Sequence, residues 1–438
     1  MLKRNYRVPI LVAAVATVVS VGMPLQVSAQ EKQQTVEERT RGQTRKTPAL
    51  RAPVYEKLNE AQQLADEKKF REAMSKLNEV KSMKDLNSYE RAQMHSFLAY
   101  LYFEQENYGE AIKNYEQVLA QPDIPVAMED QTRYTLAQLY FQNENYKKSI
   151  ELMEAWIRTA NNPGAEPYML IGQAYYQMGD FKKALAPVEK GIGIARQQGK
   201  QIKENWLLLL RLFYYENKNY PKTVDVLEEL IEKYPKREYW LQLSGMFGEL
   251  DKSREQLAAY RIAHRQGYLS REPEYLALAS LSMQADVPWE AAQVLEEGFE
   301  KGVLKKTAGN YRMLANAYTL SQNDKKAIEP LVQAARLSNE GELDVRLGQS
   351  YLNLDQYDKA VDALRKGLDK GGIRNASDVQ VMLGMALFEL KQYDAAKRAF
   401  RVAQGDSKSS RVAGQWLEYI ESEQQRQAQL REALQGAG

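Results

Sequence analysis

Cysteine is absent from all 438 residues, and there are only two histidines, His95 and His264. Without thiols the chain has no disulfide, no thiolate nucleophile and no thiolate-ligated metal. Two scattered imidazoles leave little for histidine-based catalysis. No His-Glu-x-x-His pattern occurs, and Gly191-Ile192-Gly193-Ile194 lacks the following Lys-Ser/Thr and the preceding strand of a phosphate loop. Neither a metal nor another cofactor is therefore expected. An excess of one charge is also missing: 60 basic residues stand against 58 acidic ones, interspersed along the chain. That balance argues against nucleic acid as a partner, which calls for a basic face. Acidic pairs such as Glu228-Glu229 and Glu296-Glu297 fall on polar helix faces and form no shielded acid–base site. After residue 29 no apolar run is long enough to cross a bilayer.

The amino terminus differs from the rest. Lys3, Arg4 and Arg7 precede an uncharged apolar run from Val8 to Gly22, and Val27-Ser28-Ala29 offers small residues for cleavage. Residues 1–29 thus read as a secretory signal. A retained membrane anchor is the competing reading, but Pro24 and Gln26 leave the apolar stretch short for a span. The cleavage point carries no Cys, which excludes a bacterial lipoprotein. Removing the leader with its three basic residues leaves 57 basic against 58 acidic, a formal charge of −1. Residues 30–53 are polar and mixed in charge, with Pro48 and Pro53, and read as a flexible linker. A periplasmic address in a Gram-negative bacterium is expected, with which a cysteine-free chain is compatible.

A repeat dominates the remainder of the chain. Ala73, Ala111, Ser149, Ala184, Thr223, Gln256, Ala292, Ala327, Ala360 and Ala396 recur at intervals of 33 to 39 residues. Intervals of this size signal a helical solenoid, whose usual product is a long concave surface. In the second copy Leu98, Ala99 and Tyr102 sit at helical spacing, a break comes at Gln105 to Asn107, and Tyr108, Ala111, Tyr115 and Val118 resume the period. The third copy repeats it with Leu136, Ala137, Tyr140, Tyr146, Ser149, Met153 and Trp156, and the fourth with Ile171, Gly172, Tyr175, Phe181, Ala184 and Val188. Small residues permit close helix approach, and rings fill the gaps beside them.

These residues resemble the tetratricopeptide repeat family over roughly four fifths of the chain. The resemblance implies an all-α, right-handed superhelical solenoid of about ten helix-turn-helix units over residues 54–408. Residues 409–438 hold a closing amphipathic helix marked by Val412, Trp416, Leu417 and Ile420, plus a tail. Copies depart from the pattern where Arg211 replaces the small residue in the fifth and where Ser253 and Gln256 replace the aromatic and Ala in the sixth. Packing at the sixth copy, and a division of the solenoid there, are left open by the sequence.

The repeat offers two candidate surfaces. By the family's phase, helix A lines the concave side, and the inward position after the packing aromatic holds Phe103, Phe141, Tyr176, Tyr215 and Phe388. In copies two to five this makes ring pairs, Tyr102-Phe103 through Tyr214-Tyr215. Either the second rings form a stripe for an extended apolar or proline-rich peptide, or they cover the adjacent helix. By the same phase Arg312, Asn316 and Arg346 face inward and partly resemble the carboxylate clamp of chaperone-binding members. Val345, Asp378 and Met382 stand where further basic or amide groups belong. Leader, linker, ten-copy stack and closing helix together resemble the periplasmic tetratricopeptide proteins that accompany TonB, ExbB and ExbD. That layout implies a non-catalytic scaffold for a protein or peptide, possible partners including TonB or another envelope protein. An envelope-biogenesis scaffold for polysaccharide export or cell-wall machinery, and an enzyme using Arg211 and Glu249, are the alternatives.

Overall fold

Each copy becomes two helices because its apolar residues recur on one stripe and its break carries the chemistry of a helix stop. The computed structural model describes residues 49–436, with side chains to residue 431, so the expected leader and most of the linker lie outside the described residues. Among the described residues there are 21 α-helices and no strand. The chain divides into two compact units between Asn219 and Tyr220, inside the fifth copy. The first unit contains α1 (Ala52–Asp66), α2 (Phe70–Lys81), α3 (Ser88–Glu104), α4 (Tyr108–Leu119), α5 (Val126–Gln142), α6 (Tyr146–Thr159), α7 (Ala165–Gln177), α8 (Phe181–Gln197) and α9 (Glu204–Glu216). The second begins with α10 (Tyr220–Lys233), α11 (Arg237–Glu249), α12 (Ser253–Arg265), α13 (Glu272–Gln284), α14 (Pro288–Glu300) and α15 (Ala308–Leu320). It continues through α16 (Asp324–Arg336), α17 (Gly341–Asn353), α18 (Tyr357–Lys370), α19 (Ala376–Glu389), α20 (Tyr393–Gln404) and α21 (Ser410–Gly436). Within each unit every helix packs on the one before and the one after it, an all-α repeat solenoid.

One turn geometry recurs at all ten A–B breaks. After α3, Glu106 takes φ 58°; its N–H donates to the Phe103 carbonyl and the Asn107 N–H donates to the Tyr102 carbonyl, both at 2.9 Å. This is a Schellman stop. Asn107 then starts the next helix, its Oδ1 accepting the Glu110 N–H at 3.3 Å. Asn145, Asp180 and Asn323 cap α6, α8 and α16 in the same way. The left-handed residue is Lys68, Glu106, Glu144, Gly179, Lys218, Asp251, Asp286, Gln322, Asp355 or Lys391 in turn, and only one of the ten is glycine. A non-glycine residue there costs about 1–2 kcal/mol, which the paired stop-and-cap bonds offset.

The nine small residues of the period are buried, none more than 1% exposed. Opposite them, helix approach in some copies is too tight for any side chain: a Cβ at Gly172 would lie 2.3 Å from Val188, and at Gly384 2.7 Å from the Phe400 ring. The sixth copy, whose packing the sequence left open, exchanges the two roles. Gln256 is half-buried on α12, and the room it needs comes from Gly248 on α11, where a Cβ would lie 2.7 Å from the Gln256 amide nitrogen. Ser244 Oγ also donates to the Gln256 carbonyl at 3.0 Å.

No unit has a single centre. In the first, overlapping apolar clusters run from Val54 to Leu101, from Ala92 to Tyr140 and from Ala137 to Ala174. Each hairpin buries its face against the next, as a stack requires. The last hairpin is covered by α21, whose Trp416 lies parallel to Phe400 at 5.5 Å and whose Ile420 is fully buried. Buried acids tie successive hairpins together. Glu90, fully buried at the start of α3, accepts Arg51 Nε at 2.8 Å and Nη2 at 2.7 Å and the Asn87 N–H at 3.0 Å. Those bonds, Arg51 first, hold its carboxyl below the usual range despite burial. Glu274 repeats the arrangement on α13, held by Arg271 Nε at 2.7 Å, Arg237 and the Ser270 N–H at 2.9 Å.

Candidate functional site

All five candidate rings lie at the ends of their A helices, and four of them meet the ring that opens helix B of the same hairpin. Phe103 contacts Tyr108 at 5.9 Å, Phe141 contacts Tyr146 at 5.4 Å, Tyr176 contacts Phe181 at 6.0 Å and Phe388 contacts Tyr393 at 5.6 Å between centroids. Tyr176 also reaches Phe213 of α9 at 6.1 Å, and Phe388 lies against Trp416 and Tyr419 of α21. These four are half-buried; Tyr215 is 43% exposed. Phe103, Phe141, Tyr176 and Phe388 thus pack beside the A–B turns of their own hairpins.

The first ring of the pair has a polar partner set that sequence reasoning missed. Tyr140 is buried with its hydroxyl donating to Glu116 of α4, while Lys148 of α6 donates to the same hydroxyl at 2.9 Å and lies 4.8 Å from the ring centroid. Lys148 also pairs with Glu116 at 3.4 Å. Burial first, then the Glu116 contact, raises the Tyr140 phenol. Lys183, Lys326 and Lys359 stand over Tyr175, Tyr318 and Tyr351 in the same register, and Lys326 pairs with Glu296 at 3.6 Å. The signal was available: a Lys eight residues after the packing Tyr.

Of the polar candidates, Arg346 donates to Asn316, so α15 and α17 bring these two together. Arg312 pairs instead with Glu340 at 3.2 Å, ahead of α17, and Asp378 accepts the Ser409 hydroxyl at 2.7 Å. His95 faces Asn114 at 3.0 Å and His264 faces Glu297 at 3.0 Å, both in helix packing. Glu249 is exposed on α11 and Arg211 half-buried on α9. Among the described residues no group of three or more acids and histidines is placed to hold a metal.

A concavity lies elsewhere among the described residues, around the connection from α6 to α7. A cleft of about 560 Å³ is lined by α5, the end of α6, the loop after it and the start of α7. That volume falls in the range of about 300–1,000 Å³ usual for ligand sites. One face of α5 supplies Ala127, Asp130, Gln131 and Tyr134, α6 supplies Trp156, the following loop Ala160, Asn161 and Gly164, and the start of α7 Glu166 and Pro167. The loop Ala160–Gly164, with Asn162 at φ 64°, joins α6 to α7. Tyr134 and Trp156 meet at 4.9 Å, tilted by 58°. Burial, then the nearby Glu166 charge, raises the Tyr134 phenol. Asp130 accepts the Thr159 hydroxyl at 3.2 Å and Arg133 at 3.4 Å, and Arg133 binds Glu129 more closely at 2.6 Å. Tyr134 and Phe141 share one stripe of α5, so one candidate ring belongs to the face that carries the cleft.

No helix among the described residues is long and apolar enough to cross a membrane. Residues 345–410 and 212–237 match the tetratricopeptide repeat, and residues 104–191 match the anaphase-promoting complex, cyclosome, subunit 3. No curated protein matches the chain. Among solved structures, the C-terminal part of a TPR repeat-containing protein from Cytophaga hutchinsonii is 18% identical over 64% of this chain and 95% of that one, with a TM-score of 0.36. The TPR2AB domain of yeast Sti1, in complex with pHSP90, is 15% identical over 62% and 99%, with a TM-score of 0.33. YrrB, a TPR protein with an unusual peptide-binding site, is 16% identical over 44% and 99%, with a TM-score of 0.35. With the repeat matched at residues 212–237 and 345–410 and one left-handed stop recurring at ten helix breaks, the chain contains tetratricopeptide repeats.

Proposed function

We propose that this protein is a non-catalytic periplasmic scaffold that holds a partner polypeptide on its helix-A side, as an accessory of a TonB-dependent energy-transduction and uptake system. The tetratricopeptide fold itself supports a protein–protein interaction scaffold. The observation that carries the binding is the α5–α7 cleft, which has an aromatic floor and polar rim but no metal set beside it. Residues 1–29, read as a signal, support the periplasmic address, and the layout of leader, linker, stack and closing helix supports the TonB assignment.

The test is capture of the purified periplasmic part of TonB by the immobilised full chain, followed by surface plasmon resonance. Saturable, reversible binding is expected. A flat response rejects TonB as partner. Recovery of the protein in the cytoplasm, not in the osmotic-shock fluid, rejects the address.

A further inference from the structure

The chemistry of the cleft narrows what enters it. Its lining holds two carboxylates, Asp130 and Glu166, and no lysine or arginine. The neighbouring Arg133 is met by Glu129 as well as Asp130, so the three acids and one base around the opening leave a local charge of −2. The Tyr134 and Trp156 rings, both partly buried, line the same cleft. Aromatic faces attract a cation, Trp most strongly, and a carboxylate at the rim strengthens the contact through a charge-assisted hydrogen bond. Gln131 and Asn161 add amide groups suited to a passing main chain.

We infer that the α5–α7 cleft is a pocket for a single basic side chain, arginine above lysine, presented by an extended segment of the partner. The guanidinium stacks over Trp156 and donates to Glu166 and Asp130, while the flanking peptide lies along the amides of Gln131 and Asn161. Arginine is preferred because its planar fork both stacks and donates bidentately, whereas an ammonium acts as a point charge. The inference rests on the scaffold reading and specifies what that scaffold recognises.

Isothermal titration of the full chain tests it with the acetylated, amidated nonapeptide Ser-Ala-Pro-Ala-Arg-Ala-Pro-Ala-Ser and with versions carrying Lys, citrulline or Glu at the centre. The arginine peptide is expected to bind best, lysine a few-fold more weakly, and citrulline at least roughly tenfold more weakly, as loss of charge-assisted bonds implies. Glu166→Gln, at an exposed position, is expected to weaken the arginine peptide by roughly tenfold and leave the citrulline peptide unchanged. The inference is overturned if citrulline binds as well as arginine, if Glu166→Gln changes nothing, or if no peptide binds. TonB capture by wild type and Glu166→Gln, measured in parallel, separates the two claims. Equal capture by both sinks the pocket and keeps the scaffold; peptide binding without TonB capture keeps the pocket and rejects the TonB assignment.

Discussion

Replacing Gly384 by alanine tests whether close helix approach builds this stack. The added Cβ would lie 2.7 to 2.8 Å from three atoms of the Phe400 ring, well inside contact distance. Phe400 has little room to retreat, being fully buried and stacked on Trp416 at 5.5 Å with an interplanar angle of 5°. Overpacking of this kind costs about 1–3 kcal/mol, whereas alanine in a helix is favoured over glycine by about 1 kcal/mol. The internal control is Gly245 in α11 of the same unit, where a Cβ meets nothing within 4 Å. Gly245→Ala should therefore stabilise by about 1 kcal/mol and Gly384→Ala should destabilise by up to about 2 kcal/mol. A repeat array need not unfold in one step, so hydrogen exchange read peptide by peptide is the suitable assay. Faster exchange is expected in α19, α20 and α21, with α1 to α9 unchanged. If the two substitutions shift exchange alike, close approach at the small positions is not what holds the hairpins, and the packing argument fails.

The turns and polar contacts set three further outcomes. Gly179→Ala, at φ 74°, should lose about 1–2 kcal/mol and Glu106→Gly should gain a smaller amount; urea melts giving the reverse order would contradict the turn assignment. Tyr140→Phe removes the hydroxyl between Glu116 and Lys148 and should cost about 1 kcal/mol, seen as faster exchange in α4 to α6; Tyr134→Phe, whose hydroxyl is not part of such a set, serves as comparison. Glu274 carries the third outcome. Burial pushes its carboxyl up, but the Ser270 N–H, Arg271 and Arg237 together hold it below the usual range. A folded-state pKa below the unfolded one gives stability that is fully present above the unfolded value of about 4.3 and is lost as pH falls through the folded value. The stability gap between wild type and Glu274→Gln should thus be open at pH 7 and close below about pH 4; a gap that does not change with pH would refute the paired-carboxylate reading.

The repeat and its hairpins were legible in the residues because helix formation is local. Apolar spacing and a small residue every 33 to 39 positions mark the helices, and at Asn107, Asn145 and Asp180 a capping residue before an aromatic marks where helix B starts. The ring pairs were legible only as two readings, since a period fixes which face a side chain takes but not what lies opposite it. The structure adds what lies opposite: Phe103, Phe141 and Tyr176 contact Tyr108, Tyr146 and Phe181 of their own hairpins. The sixth copy read as damaged because its substitution was visible and its compensation at Gly248 was not.

Sequence alone therefore determined that this protein is a stack of paired helices and where each pair begins, because those features depend on neighbours a few residues apart. Only the tertiary structure decided where the stack opens. The α5–α7 cleft is lined by residues from Ala127 to Pro167 drawn from two helices, the end of a third and the loop after it, and no local pattern encodes which of them come together.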